Sequence, residues 1–410
     1  METIVIKALQ LILSLAILVI IHELGHFGFA KMFKVRVEKF YLFFDAWGAL
    51  FSFRSEGKET KEVYVTGDDG KKVKDDDGEF VTEKVELEGK EKGWNFFKFR
   101  SLASLKRGQR ETEYGIGWLP LGGYVKIAGM IDESMDRKAL KKPVQDYEFR
   151  AKPAWQRLLI MVGGVLMNVL LAFFIYAMVV FSHGETYLPL SNLPSGLAYN
   201  TMAHNAGFED GDLPVTADGV ALQNLNAKTL FAIVEAHEVE VLRAGELVKL
   251  QLPADFKDIV FEKTAPYKPI DTLPKIEVKH YSLLASFPAG VRMGVRQIGN
   301  YVGQFKYIFS SKGAENIGGF GAIANLFPGE WHWLSFWTMT AFLSIMLAVL
   351  NILPIPALDG GHIFFLLVEV VTRRRPSDKF LEQAQVVGMA LLIGLLVYAN
   401  GMDVIRAFFR

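Results

Sequence analysis

The sequence predicts an α-helical polytopic membrane protein with four transmembrane helices, a re-entrant β-loop beside them, and one external α+β module. Three observations lead there. Apolar residues make up 51% of the chain and gather in runs of about 20 residues, the length that crosses a bilayer. Polar, turn-rich segments separate those runs. Two histidines and a glutamate lie at the end of the first run, and ionisable groups at membrane depth are functional by default.

Charge and cysteine usage narrow the chemistry. The 45 basic and 45 acidic side chains cancel and form no long basic block, which argues against nucleic acid as the main partner. There is no cysteine, so any transition metal must be held by His, Asp or Glu. The first apolar run opens Met-Glu-Thr, lacks a basic leader and a small-x-small cleavage site, and reads as a retained helix rather than a secretion signal.

The first span covers residues 1–30, with its apolar part from Ile4 to Ala30. The second, Leu158 to Phe181, contains no charge. The third runs from Leu334 to Ile352 within a segment, 334–380, that also holds a cytoplasmic loop. The fourth, within 381–410, is apolar from Ala384 to Tyr398 and short unless Met402 and Val404 extend it. Lys31, Lys34, Arg36 and Lys39 follow the first span, Arg150, Lys152 and Arg157 precede the second, and Arg373, Arg374 and Arg375 lie between the third and fourth. The positive-inside rule therefore places loops one and three in the cytoplasm, with both termini and the large second loop outside.

Loop one, 31–157, has two characters. Residues 54–95 alternate charged and β-branched positions between GDDG and KDDDG turns and read as solvated hairpins. Residues 114–130 are glycine-rich, apolar and extended, an odd soluble loop. Non-helical backbone at membrane depth must be buried by protein or line a cavity, so this stretch reads as the re-entrant loop. Loop two holds a module across 182–278, with turns at Gly207 and Gly211, a helix from Lys228 to His237 and strands around Ala244-Gly245. An amphipathic helix pattern over Tyr281–Ser310 follows, within 279–333, and reads as lying along the outer surface.

On a helix, His22 and His26 are four apart and share one face, with Glu23 on the same flank. Two imidazoles so spaced can grip one zinc ion, and the glutamate between them can reach a water the ion activates. Satisfied histidines at a helix end would be the bland alternative, and burial in a spanning helix weighs against it. A catalytic zinc wants a third protein ligand. Asp359 is the leading candidate and His362 the rival, both after the third span, where Pro354, Pro356, Gly360 and Gly361 break the helix and free a side chain to turn inward.

His22-Glu23-Leu24-Gly25-His26, with Asn351-x-x-Pro354-x-Pro356-x-Leu358-Asp359-Gly360, resembles the site-2 protease family of intramembrane zinc metalloproteases. The four-span layout with an external module resembles its bacterial regulator-of-sigma-E protease branch. The resemblance implies zinc held by His22, His26 and Asp359, with Glu23 as general base and acid. It also implies substrate-binding roles for Asn168, Asn351 and Pro354, and for Gly122, Gly123 and Tyr124 of the re-entrant loop, where extended substrate adds as a strand. In the second span, Gly163-Gly164 stands where the family usually has Gly-Pro. The module from about Tyr187 to Pro253 resembles a single PDZ domain through Asn205-Ala206-Gly207-Phe208-x-x-Gly211-Asp212. The partners implied are the lipid bilayer and single-span membrane proteins, such as anti-sigma factors and remnant signal peptides, in a bacterial inner membrane with the module on the periplasmic side.

Two other classes compete. A non-catalytic PDZ-containing membrane adaptor would keep the histidines only as relics, and a relic is expected to lose at least one ligand; zinc content separates the two. A transporter would need polar residues along several spans, whereas the second has only Asn168.

Overall fold

Long apolar runs become helices here, and the alternating segments between them become sheets, as the two side-chain periodicities require. The computed structural model describes residues 2–54, 60–64, 82–86, 112–119, 122–130, 143–261, 265–308 and 318–409. The principal helices are α1 (Glu2–Met32), α2 (Ala154–His183), α3 (Ala227–Glu235), α4 (Leu283–Ile308), α5 (Trp333–Ile352), α6 (Asp359–Thr372) and α7 (Asp378–Phe409). Among the described residues, α1, α2, α5 and residues Lys379–Phe408 of α7 are long and apolar enough to cross a membrane.

One helix settles an open reading and another stands where a loop was expected. The fourth span takes the longer of its two readings, running past Met402 and Val404 to Phe409. Asp403 Oδ2 accepts the Gly319 and Ala322 backbone amides at 3.0 Å each, and Asn400 Oδ1 accepts that of Phe320 at 3.2 Å, so both polar side chains are satisfied. The segment after the proline pair, expected as loop, restarts as α6. Its Ile363 and Leu366 are buried, which gives the segment an apolar face worth folding.

The chain divides into two compact units, one comprising Ala8–Asn168 and Leu350–Ile393, the other Met1–Lys7, Val169–Val349 and Gly394–Arg410. In the first, strands β1 (Val37–Leu42), β2 (Phe44–Arg54), β5 (Glu113–Leu119) and β6 (Tyr124–Ile127) form a sheet in the order β2-β5-β1-β6. β1 runs parallel to β5 and antiparallel to β6, which leaves β6 at an edge. This sheet takes up most of the stretch read as a re-entrant loop; Pro120 and Leu121 lie outside the described residues. Ala30, Val35, Val37, Ile127, Ile160, Met161 and Ile363 close the core that joins sheet and helices. In the charged insertion, β3 (Thr60–Tyr64) and β4 (Thr82–Glu86) pair antiparallel with Glu62 opposite Lys84, while the rest of the 54–95 reading lies outside the described residues.

In the second unit, β9 (Leu213–Ala217), β10 (Val220–Ala221), β11 (Glu238–Arg243) and β12 (Glu246–Gln251) form an antiparallel sheet in the order β10-β9-β11-β12. Asn226 caps α3 by accepting the Thr229 amide at 3.1 Å. Leu193, Leu197, Phe208, Ile233, Val239, Val241 and Ile259 fill the module's core. Helix α4 packs on α2 through Gly290, whose absent side chain leaves room for the Ala177 backbone. The fully buried Asp212 carboxylate accepts from Arg243 Nε and Nη2 at 2.8 and 2.7 Å and from the Glu209 amide at 2.9 Å, tying the Gly207–Gly211 turn to β11. Asp212→Ala removes the buried acceptor of these three bonds, although Arg243 keeps Glu209 and the Gly207 carbonyl, and is expected to destabilise the module by about 2–3 kcal/mol, read as faster hydrogen exchange across residues 197–251 of the full-length protein.

Candidate metal centre

Helix α1 is uninterrupted past residue 26, so His22 and His26 stack one turn apart, both buried, with ring centroids 4.8 Å apart and edge-on. Glycines bring α1 against the lower half of α2. A Cβ on Gly163 would lie 2.7 Å from the Gly25 carbonyl oxygen, and one on Gly164 would lie 2.6 Å from His22 Cε1 and 2.7 Å from its Nε2. The Gly-Gly pair in α2 therefore provides the seat of the imidazoles, a close backbone approach of the kind small residues permit between membrane helices.

Asp359 is the first residue of α6, where a carboxylate is favoured by the helix dipole. Its Oδ2 lies 3.1 Å from His22 Nε2 and 3.3 Å from His26 Nε2, and the two Nε2 atoms are 3.2 Å apart. Among the described residues these three form a group able to hold a metal ion, and His362 is outside it.

The donor set fits zinc. Zn–N and Zn–O bonds of about 2.0–2.1 Å at tetrahedral angles place donors about 3.3–3.4 Å apart, close to this nearly equilateral triangle. His26 Nδ1 lies 2.8 Å from the Ile160 carbonyl, which can only accept, so Nδ1 carries the proton and Nε2 presents a lone pair toward the triangle. Asp359 Oδ2 is buried and receives no hydrogen bond. A carboxylate oxygen and an imidazole lone pair directed at one point are mutually repulsive unless a cation lies between them.

Around the triangle, Asn168 on α2 is fully buried, with its amide 3.2 Å from His22 Nδ1. The Asn351 amide is 3.4 Å from His22 Nε2. Both asparagines thus meet the same histidine from opposite sides of its ring. Glu23 is half-buried, and the Val125 backbone N–H on edge strand β6 faces its carboxylate. Gly123 lies against α1, since a Cβ there would fall 2.6 Å from the Tyr41 carbonyl oxygen and also strike Val19. Gly122, with φ of +150°, opens the same strand beside Phe44. The Tyr124 side chain is engaged within the sheet, donating to Asp45 Oδ1 at 2.8 Å and stacking on Tyr41 and Phe44. Pro354 lies in the turn between α5 and α6, outside the group of His22, His26 and Asp359. Sequence reasoning passed over the Ile160 carbonyl and the Val125 amide, because backbone groups carry no residue signature. It also undervalued Gly163 and Gly164, whose pairing in an otherwise bulky span was the available signal.

Two histidines one turn apart, a glutamate beside the first and a carboxylate completing the triangle define a metallopeptidase, here built on membrane-length helices. Residues 10–62 and 96–395 match Peptidase family M50. The chain belongs to this family, that of the site-2 proteases, and is a multi-pass zinc metalloprotease. It is similar to a protein of Clostridium perfringens named as a zinc metalloprotease, 28% identical over 72% of this chain and 84% of that protein. Metalloprotease MmpA of Caulobacter vibrioides is 26% identical over 73% of this chain and 84% of its own. A protein of Rickettsia conorii named as a zinc metalloprotease is 26% identical over 97% and 98%. Gly164→Ala is expected to push the His22 ring out of the triangle and lower zinc affinity about 10–100-fold, measured as metal retained by purified protein during dialysis against graded chelator.

Proposed function

We propose that this zinc metalloprotease cleaves single-span membrane proteins within the bilayer, in regulated intramembrane proteolysis of the regulator-of-sigma-E protease type. Its substrates in this reading are anti-sigma factor-like proteins and remnant signal peptides. The observation that carries the reading is the position of edge strand β6. Its Val125 N–H reaches Glu23, so a peptide added as a strand along β6 would run past the proton-transfer group. A peptide bond inside a transmembrane helix is shielded by its own hydrogen bonds, and strand addition exposes it.

His22, His26 and Asp359 would hold the zinc, which when bound polarises the substrate carbonyl and acidifies water. Glu23 takes a proton from the attacking water and returns it to the departing amide nitrogen, and the Val125 N–H orients its carboxylate for both transfers. The Ile160 carbonyl holds His26 in the tautomer that leaves Nε2 free. Asn168 and Asn351, against His22, are read as shaping the floor on which the unwound substrate backbone rests. The surrounding helices exclude bulk water, which strengthens each of these polar contacts.

In this reading the protein resides in a bacterial inner membrane, with both termini and the single PDZ-like module of 182–278 on the periplasmic side. Because the chain has no cysteine, single replacements report topology cleanly. Ala254→Cys is expected to react with an impermeant maleimide on intact spheroplast surfaces, and Arg374→Cys only after permeabilisation; the reverse pattern refutes the orientation. Glu23→Gln is expected to retain zinc yet lose cleavage of a single-span reporter by at least about a hundredfold. Continued cleavage by that variant would overturn the mechanism.

A further inference from the structure

The chain between α5 and α6 folds back through a tight turn just ahead of Asp359. The Leu358 amide donates to the Ile355 carbonyl at 3.1 Å, closing a β-turn with Pro356 and Ala357 as its middle residues. Ala357 has φ of +77°. A positive φ at the third residue marks a type II turn, which favours proline at the second position and glycine at the third. Proline is in its place, but alanine stands where glycine is wanted, with a Cβ that disfavours the left-handed region. Something outside the turn must hold it.

Helix α7 meets the turn at two points three residues apart on one face. Gln385 is 5% exposed in an apolar helix, and its Oε1 accepts the Ala357 N–H at 3.2 Å. That amide is the one the turn's own hydrogen bond leaves over. At Gly388 a Cβ would fall 2.8 Å from Pro356 Cβ and collide with the Pro356 carbonyl, so only glycine lets α7 come close enough for the Gln385 bond. Burying a glutamine amide is costly unless it is hydrogen-bonded, and here its oxygen bonds the backbone two residues before a metal-ligand candidate.

We propose that Gln385 is a positioning residue for the metal centre. By fixing Ala357 in the left-handed conformation it sets where α6 begins, and so holds Asp359 Oδ2 over His22 and His26. The inference rests on the reading of Asp359 as the third zinc ligand.

The test uses full-length protein in detergent and two readouts: hydrogen exchange over residues 353–358 of zinc-stripped protein, and zinc release to a chromogenic chelator. Gln385→Leu is expected to speed exchange at Ala357 at least about tenfold and zinc release about 10–100-fold. Gln385→Glu, which keeps an acceptor oxygen, stays close to wild type in both. Ala357→Gly added to Gln385→Leu restores slow zinc release, because glycine adopts the turn unaided. A role for Gln385 in helix packing alone predicts no rescue by Ala357→Gly, and that result overturns the proposal. Unchanged exchange in Gln385→Leu overturns it as well, as does fast exchange with zinc still tightly held. Neither readout involves peptide cleavage, so failure to find a cleaved substrate would count against the proposed function and leave this test intact.

Discussion

A carboxylate oxygen and two imidazole nitrogens lie within 3.3 Å of one another inside a bundle of apolar helices, and the rest of the first unit is arranged around that constraint. Three electron-rich atoms at that spacing repel in a low dielectric, and the arrangement is stable when a cation occupies its centre. Each donor therefore has to be aimed by something that costs little and moves little. His26 is aimed by a backbone carbonyl, His22 by an asparagine, and Asp359 by the start of a helix. The glycines of α1 and α2 supply the room, since a side chain at Gly164 would occupy the space in which the imidazoles lie, and one at Gly25 or Gly163 would push the two helix backbones apart.

The sheet of β1, β2, β5 and β6 serves the same constraint from another direction. Strand backbone beside spanning helices needs its hydrogen-bonding groups satisfied, and the two inner strands, β5 and β1, achieve that largely by pairing within the sheet. β2 and β6 are left at the two edges, and the Val125 amide of β6 faces Glu23. A single backbone group thus links an edge of the sheet to Glu23 of α1. Interior contacts at Tyr124 and Asp45 hold that edge in register.

Much of this was legible in the sequence. The His22, Glu23 and His26 spacing on an apolar run carries its own geometry, because a helix places such residues on one face whatever surrounds them. Asp359 stood out as an acid beside prolines and glycines that break a span. The helical character of 359–372 and the length of α7 were less legible. α6 is short, and the start of α6 and the end of α7 are rich in helix-breaking or polar residues whose partners lie far along the chain. Asp403, for example, interrupts an apolar stretch, and the Ala322 and Gly319 amides it accepts lie 81 and 84 residues away.

The sequence by itself determined the membrane setting, the metal chemistry and the shared face of His22, Glu23 and His26, because these follow from local periodicity and from the cost of burying ionisable groups. The tertiary structure decided which candidate lies with the two histidines, bringing in Asp359 and leaving out His362, three residues away on the same helix. It also decided which backbone groups fix the tautomer and the carboxylate, and that a glutamine in the last helix meets the turn ahead of the aspartate. Those choices depend on ångström-scale approach between segments up to about 330 residues apart, such as His22 and Asn351. No local pattern encodes such an approach; packing does, through where glycines let backbones meet.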